Sequence, residues 1–332
     1  MTSTTTSPFT TRRTPGRLAL IILSRYGTLI GLALMLIAFT IRAPTVFPTL
    51  QNFTNIVAQG SLTAIIAAGL TYALVVGEFD LSIGYAASFA GLIVVGFMSI
   101  QGIPIWLAIP LVLLIGGGIG AVNGVLVTKV RINAVIATLG VGTILIGAAF
   151  AYSPFPIVTN IPPEFSQISI GRLIPGVPNS IPIMLVVLAI LWVILNKTDL
   201  GQKMQAVGGN REAARLSGIR VDRVKIFAFV VAGVCAALTG IMLSSLLGSG
   251  TSSAANGYLL NAFAAVFLGS ATLRDGEFHI LGTLVGVLVI VVGFNGLSIF
   301  GAPSWAQQVF SGGILIVAVG LSTLSRRILK AS

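Results

Sequence analysis

Ten runs of apolar residues, separated by short polar or glycine- and proline-marked breaks, set the pattern of this chain. They are Tyr26–Ile41, Asn55–Val76, Leu81–Ile100, Ile105–Thr128, Ala134–Tyr152, Ile181–Asn196, Ile226–Leu247, Leu259–Leu273, Phe278–Phe300 and Gln307–Leu324. A helix needs about 20 mostly apolar residues to cross a bilayer. The pattern therefore predicts an all-α polytopic membrane protein with about ten transmembrane helices. Arg12, Arg13, Arg17 and Arg25 precede the first run, Lys129 and Arg131 follow the fourth, and Arg326, Arg327 and Lys330 follow the last. Basic residues favour the cytoplasmic side, so both termini are expected inside. Residues 1–25 then form a cytoplasmic tail, 26–325 the transmembrane region and 326–332 a second tail. The Thr- and Ser-rich start lacks a small-residue cleavage site after the first run, which argues against a removed signal. The proline-rich stretch 153–180 is expected to be an external loop that no helix crosses.

Composition agrees and narrows the classes. Over 332 residues, 55% are hydrophobic and only 8% charged, against roughly 25% charged in a soluble domain. The net charge of +11 would suggest nucleic acid in a soluble chain. Here the basic residues sit at the ends of apolar runs, so no nucleic acid is expected. One cysteine, Cys235, and one histidine, His279, exclude an internal disulfide and give no metal site. No catalytic residues are evident.

The largest polar island is 197–225, which holds seven of the nineteen basic residues and three of the eight acidic ones. Its centre predicts a short helix, with Asn210 as cap, Glu212 in the first turn and Gly218 as stop. Two turns of helix are marginal in water alone, so this helix should dock on a partner. Ala213 and Ala214 permit close approach, Leu216 and Ile219 offer apolar anchors, and Arg211, Arg215 and Arg220 give a charged rim. A solvated, positively charged loop with no partner is the other reading.

Asn52, Asn55, Gln59 and Thr63 recur at spacings of three, four and four residues, along one face of the second predicted helix. Such residues either line a solute pathway or hydrogen-bond helices together; Asn261 and Asn295 carry the same two readings. Glu78, Asp80 and Ser82 fall at the cytoplasmic boundary, where a carboxylate stays hydrated. They fit an inner gate or a helix cap better than a proton relay. The glycines at 116, 117, 118, 120 and 124 suit close helix packing. Gly-Glu-Phe-Asp-Leu-Ser-Ile-Gly-Tyr from Gly77 and Gly-Glu-Phe-His-Ile-Leu-Gly-Thr from Gly276 resemble each other, which raises a parallel internal repeat. Chance likeness in a chain with 39 glycines is the alternative.

Several motifs in order resemble one family. Gly-Glu-Phe-Asp-Leu-Ser-Ile-Gly (77–84), Gly-Ala-Val-Asn-Gly (120–124), Ile-Ala-Thr-Leu-Gly (136–140), Ala-Val-Gly-Gly-Asn-Arg-Glu-Ala-Ala-Arg-Leu-Ser-Gly-Ile (206–219), Gly-Tyr-Leu-Leu-Asn-Ala-Phe-Ala-Ala-Val (257–266) and Asn-Gly-Leu (295–297) are similar to the permease subunit of ribose-type carbohydrate ABC importers. The likeness runs from about Phe47 to about Leu321. The family usually carries Gly and a β-branched residue in place of Glu78 and Phe79, an acid in place of Leu259 and Asp in place of Asn261. The usual sequence downstream of Glu-Ala-Ala and Gly is also absent.

The resemblance implies a permease subunit in a bacterial inner membrane, paired with an identical or paralogous permease. An ATPase subunit would dock on Asn210–Gly218, and an external solute-binding protein would deliver a sugar or sugar-like small molecule. The chain contains no Gly-Xaa4-Gly-Lys-Ser/Thr loop, so ATP and Mg would be bound by the partner and no cofactor by this chain. Two rival classes are an ion-coupled secondary transporter, which needs an ionisable group at the midplane, and a non-transporting membrane scaffold.

Overall fold

The computed structural model describes residues 15–271 and 276–330, with side chains from Tyr26 to Gly320. Among them are thirteen helices: α1 (Pro15–Arg42), α2 (Leu50–Val75), α3 (Ile83–Ser99), α4 (Ile105–Thr128), α5 (Ala134–Tyr152), α6 (Pro163–Ile170), α7 (Ser180–Lys197), α8 (Asp199–Gly209), α9 (Arg211–Leu216), α10 (Val221–Leu247), α11 (Tyr258–Ser270), α12 (Ile280–Ile299) and α13 (Ser304–Lys330). Each of the ten apolar runs overlaps one helix, and the last two residues of the run Leu259–Leu273 lie outside the described residues. Six of these, α2, α4, α5, α7, α10 and α12, are long and apolar enough to span a bilayer, and the described parts of α1, α3, α11 and α13 are shorter apolar helices. No named strand occurs among the described residues.

α2 lies at the centre, packed against α7, α10, α11 and α12. From Gly60 to Val75 every residue is buried, as expected of a helix that is apolar nearly all round. Long-range hydrogen bonds fix its rotation. Thr71 Oγ1 meets Thr283 Oγ1 of α12 at 2.8 Å, and the Tyr72 hydroxyl donates to the Leu191 carbonyl of α7 at 2.6 Å.

α10 is the second hub and packs on α2, α3 and α4. Its contact with α4 depends on small residues. A Cβ at Gly116 would lie 2.6 Å from the Gly233 carbonyl oxygen, one at Gly124 would lie 2.8 Å from Ile226 Cα, and one at Gly120 would collide with the Phe229 carbonyl. These three glycines recur every four residues on one helix face. Gly118, on another face, meets open space.

Three local expectations change. The stretch 153–180 contains a helix, α6, because Pro163 stands at a first-turn position, where its missing N–H is harmless. α6 is seated on α10: the Ser169 hydroxyl donates to the Met242 carbonyl at 2.7 Å and the Ser245 hydroxyl to the Phe165 carbonyl at 2.7 Å. α1 begins at Pro15, well before the apolar run starts at Tyr26. The island 197–225 holds two helices where one was expected. The added one, α8, is capped by the Thr198 hydroxyl on the Gly201 N–H and buries Gly201, Met204 and Val207 at three-residue spacing.

Candidate functional site

The polar residues of α2 divide between two environments. Asn52 is buried and exchanges two hydrogen bonds with Asn295 of α12: Asn52 Nδ2 donates to Asn295 Oδ1 at 3.1 Å, and Asn295 Nδ2 to Asn52 Oδ1 at 2.8 Å. Asn52 Nδ2 also donates to the Phe47 carbonyl. Thr63 is buried in the closed half of the helix. Asn55 and Gln59 are exposed on the outer face, and Gln59 lies roughly 14 Å along the axis from the start of α2 at 1.5 Å per residue. Asn55 accepts from Gln51 Nε2 at 3.3 Å. Asn261 of α11 accepts from the Ser311 hydroxyl of α13 at 2.9 Å.

α2 ends in a glycine turn. Gly77 has φ +79°, its N–H bonds the Leu74 carbonyl, and the Glu78 N–H bonds the Ala73 carbonyl. This pairing satisfies the last carbonyls of the helix. The chain then runs as an irregular connector to α3. Glu78 forms an ion pair with Lys225 of α10, and the Lys225 side chain is 5% exposed. Asp80 is 1% exposed. One of its oxygens accepts from the Ser82 N–H at 2.9 Å and the Ser82 hydroxyl at 2.6 Å. Asn123 Nδ2 of α4 in turn donates to the Ser82 hydroxyl at 2.8 Å, and the Leu81 N–H donates to Thr138 Oγ1 of α5 at 3.0 Å.

The expectation of a hydrated carboxylate is therefore corrected at Asp80, which is buried and bonded to Ser82, whereas Glu78 keeps a 16% exposed side chain beside Lys225. Ser82, not Asp80, occupies the N-cap position of α3, and its hydroxyl makes no cap bond.

Phe79 completes this region. It stacks on Phe263 (centroids 6.1 Å, 14° between planes) and Phe267 (6.4 Å, 24°), and Phe278 meets Phe267 edge-on at 5.5 Å. The phenylalanines of both Gly-Glu-Phe breaks thus meet on one side chain of α11. A cavity of about 430 Å³ lies between the two breaks and α8, with Gly77, Gln205, Gly208, Gly276, Glu277 and His279 among its lining residues.

In the polar island, Asn210 Oδ1 accepts from the N–H groups of Glu212 and Ala213, both at 3.0 Å. Gly218 has φ +81° and ends α9, with Gly218 N–H on the Arg215 carbonyl and Ile219 N–H on the Ala214 carbonyl. Ala214 faces inward and is buried, whereas Arg211, Glu212, Ala213, Arg215 and Leu216 are exposed, Leu216 at 87%. An exposed leucine on the same short helix as exposed Arg211 and Arg215 is a surface suited to a protein groove. Among the described residues no group of His, Cys, Asp and Glu could hold a metal ion.

Comparison with known proteins decides what this arrangement belongs to. Residues 52–319 match the family model described as branched-chain amino acid transport system / permease component. The chain belongs to that permease family. The ribose import permease protein of Haemophilus influenzae is 38% identical, covering 82% of this chain and 85% of its own length. That of Bacillus subtilis is 36% identical, covering 90% and 92%. The D-allose transport system permease protein of Escherichia coli is 32% identical, again covering 90% and 92%. The protein is accordingly a ribose-type ABC permease, a multi-pass membrane protein of the kind that the motifs at 77–84 and 206–219 suggested. No solved structure matches.

Long-range partnerships are what sequence reasoning missed. Lys225 was visible only as one of seven basic residues in the island, and nothing local marks it as the partner of Glu78, 147 positions away.

Proposed function

We propose that this chain is the membrane-spanning subunit of an ATP-driven importer of a sugar or sugar-like small molecule in the bacterial inner membrane. It crosses ten times, keeps both ends in the cytoplasm and works beside a second permease, identical or paralogous. The exposed face of α9 receives an ATPase subunit. An external solute-binding protein delivers substrate to the side that carries α6. The exposed amides Asn55 and Gln59 face the pathway, where neutral donors and acceptors suit a polyhydroxyl solute. Asn295 and Asn261 support the bundle at its edge, since their amides already bond protein groups.

The observation that carries this reading is α9: a capped, glycine-terminated helix that buries Ala214 and exposes Leu216, Arg211 and Arg215. The chain has no phosphate loop of its own, so the energy of transport must come from the protein that docks there. The test is uptake of labelled ribose, D-allose and L-arabinose into vesicles that contain the permease, with and without its ATPase and ATP. Uptake of one of them that requires both is expected; uptake that persists unchanged without ATP overturns the reading.

Burial of Asp80 is the one observation that favours ion-coupled transport, because a buried acid is the group such a carrier needs. It already accepts two hydrogen bonds from its neighbour Ser82, which favours a structural role.

A further inference from the structure

A buried ion pair contributes little net stability, because desolvation offsets the attraction, yet removing one partner is severe. What it does supply is direction: two charges in contact resist displacement in a way that sliding apolar surfaces do not. The Glu78–Lys225 pair joins two elements with different neighbours. Lys225 lies just inside the start of α10, which follows α9 after the Gly218 turn. Glu78 lies in the α2–α3 connector, beside the Phe79 that stacks on α11. The end of α2, from which the connector leaves, is touched by the same cytoplasmic segment, because Gly208 of α8 lies so close to the Val75 carbonyl that a Cβ there would collide with it. The connector's far end is fastened to α4 and α5 through Asn123 and Thr138.

Resting on the reading of α9 as the ATPase-docking helix, we infer that the Glu78–Lys225 pair is the strut through which movement of the cytoplasmic segment reaches the Phe79 stack. Glu78 and Lys225 are then positioning residues of the transport cycle. The Gly208 contact pushes on the end of α2, and the ion pair pulls or pushes on the connector directly behind it. The 430 Å³ cavity beside Gly208 and Gly276 leaves room for that displacement.

Two measurements test the strut, and the first needs no partner protein. In purified permease, Asn210→Ala unfastens the start of α9. Deuterium uptake at 76–82 should rise in response, and that rise should shrink at least about threefold in a Glu78→Gln background, within the range of coupling effects along a linked element. An equal response in both backgrounds overturns the strut whatever the protein transports. In the assembled importer, Glu78→Gln should retain ATP hydrolysis while uptake per ATP falls by about tenfold. The exchanged pair Glu78→Lys with Lys225→Glu should recover most of that loss. Unchanged uptake per ATP in Glu78→Gln, or an exchanged pair no better than either single variant, overturns it. Absence of ATP-driven uptake in the wild type would sink the importer reading and leave the deuterium result to decide the strut.

Discussion

The breaks at Gly77 and Gly276 start with the same three residues and put them to different use. In both, the glycine takes positive φ, +79° and +91°. In both, the phenylalanine reaches Phe267. The carboxylates part company: Glu78 is paired with Lys225 in a nearly closed site, whereas Glu277 is exposed at the edge of the cavity. The fourth residues differ as well. Asp80 is enclosed by its bonds to Ser82, while His279 Nδ1 lies 3.0 Å from the Glu277 carbonyl. Local sequence thus sets the turn and the direction of the ring. What the acid does depends on which helix happens to run alongside, and only the first break has α10 with a lysine one turn inside it. A likeness in sequence therefore marks a likeness in backbone more securely than a likeness in role.

The largest effect should separate the two carboxylates. Lys225→Met leaves Glu78 without its cation in a largely closed site and should cost about 3 kcal/mol, whereas Glu277→Gln at an exposed position should stay within about 0.5 kcal/mol. Unfolding in mixed micelles with rising SDS measures both, and equal losses would erase the contrast. Next in size is the shared feature: Gly77→Ala and Gly276→Ala should each cost about 1–2 kcal/mol, because an alanine Cβ is strained at positive φ. The same unfolding assay should find them similar, and a loss at only one would show that the turns are not equivalent. The smallest effect concerns the rings. A double-mutant cycle of Phe79→Leu with Phe267→Leu, and another of Phe278→Leu with Phe267→Leu, should each give a coupling of about 1 kcal/mol; coupling in one cycle alone would assign the aromatic cluster to that break.

Much of this was legible beforehand. The apolar runs were readable because a bilayer demands about 20 apolar residues per crossing, and six of the described helices are long and apolar enough to meet that demand. The cap at Asn210 and the stop at Gly218 were readable because both act within a few residues of themselves. α8 and α6 were hidden for opposite reasons. α8 buries only Gly201, Met204 and Val207, too faint a stripe to stand out in a basic island, and α6 is short and lies among prolines that ordinarily signal loops. The pairs Glu78–Lys225 and Asn52–Asn295 were out of reach, since each joins positions far apart in sequence and no periodicity connects them. Asn55 and Gln59 lay on the expected stripe with Asn52 and Thr63. Burial by α12 and by the closed half of α2 split that stripe, which is a matter of packing and not of spacing.

The Asn52–Asn295 exchange has a consequence for how such a protein can change over generations. Each amide serves as donor and acceptor to the other, so replacing one strands a buried polar group, at about 1–3 kcal/mol, while replacing both with apolar side chains of similar shape comes close to neutral. Two acceptable states are thus separated by an intermediate of low fitness. A lineage that leaves the amide pair has to change both positions almost together, or first acquire spare stability elsewhere. The two sites should therefore be inherited as a unit: related chains keep both asparagines or neither.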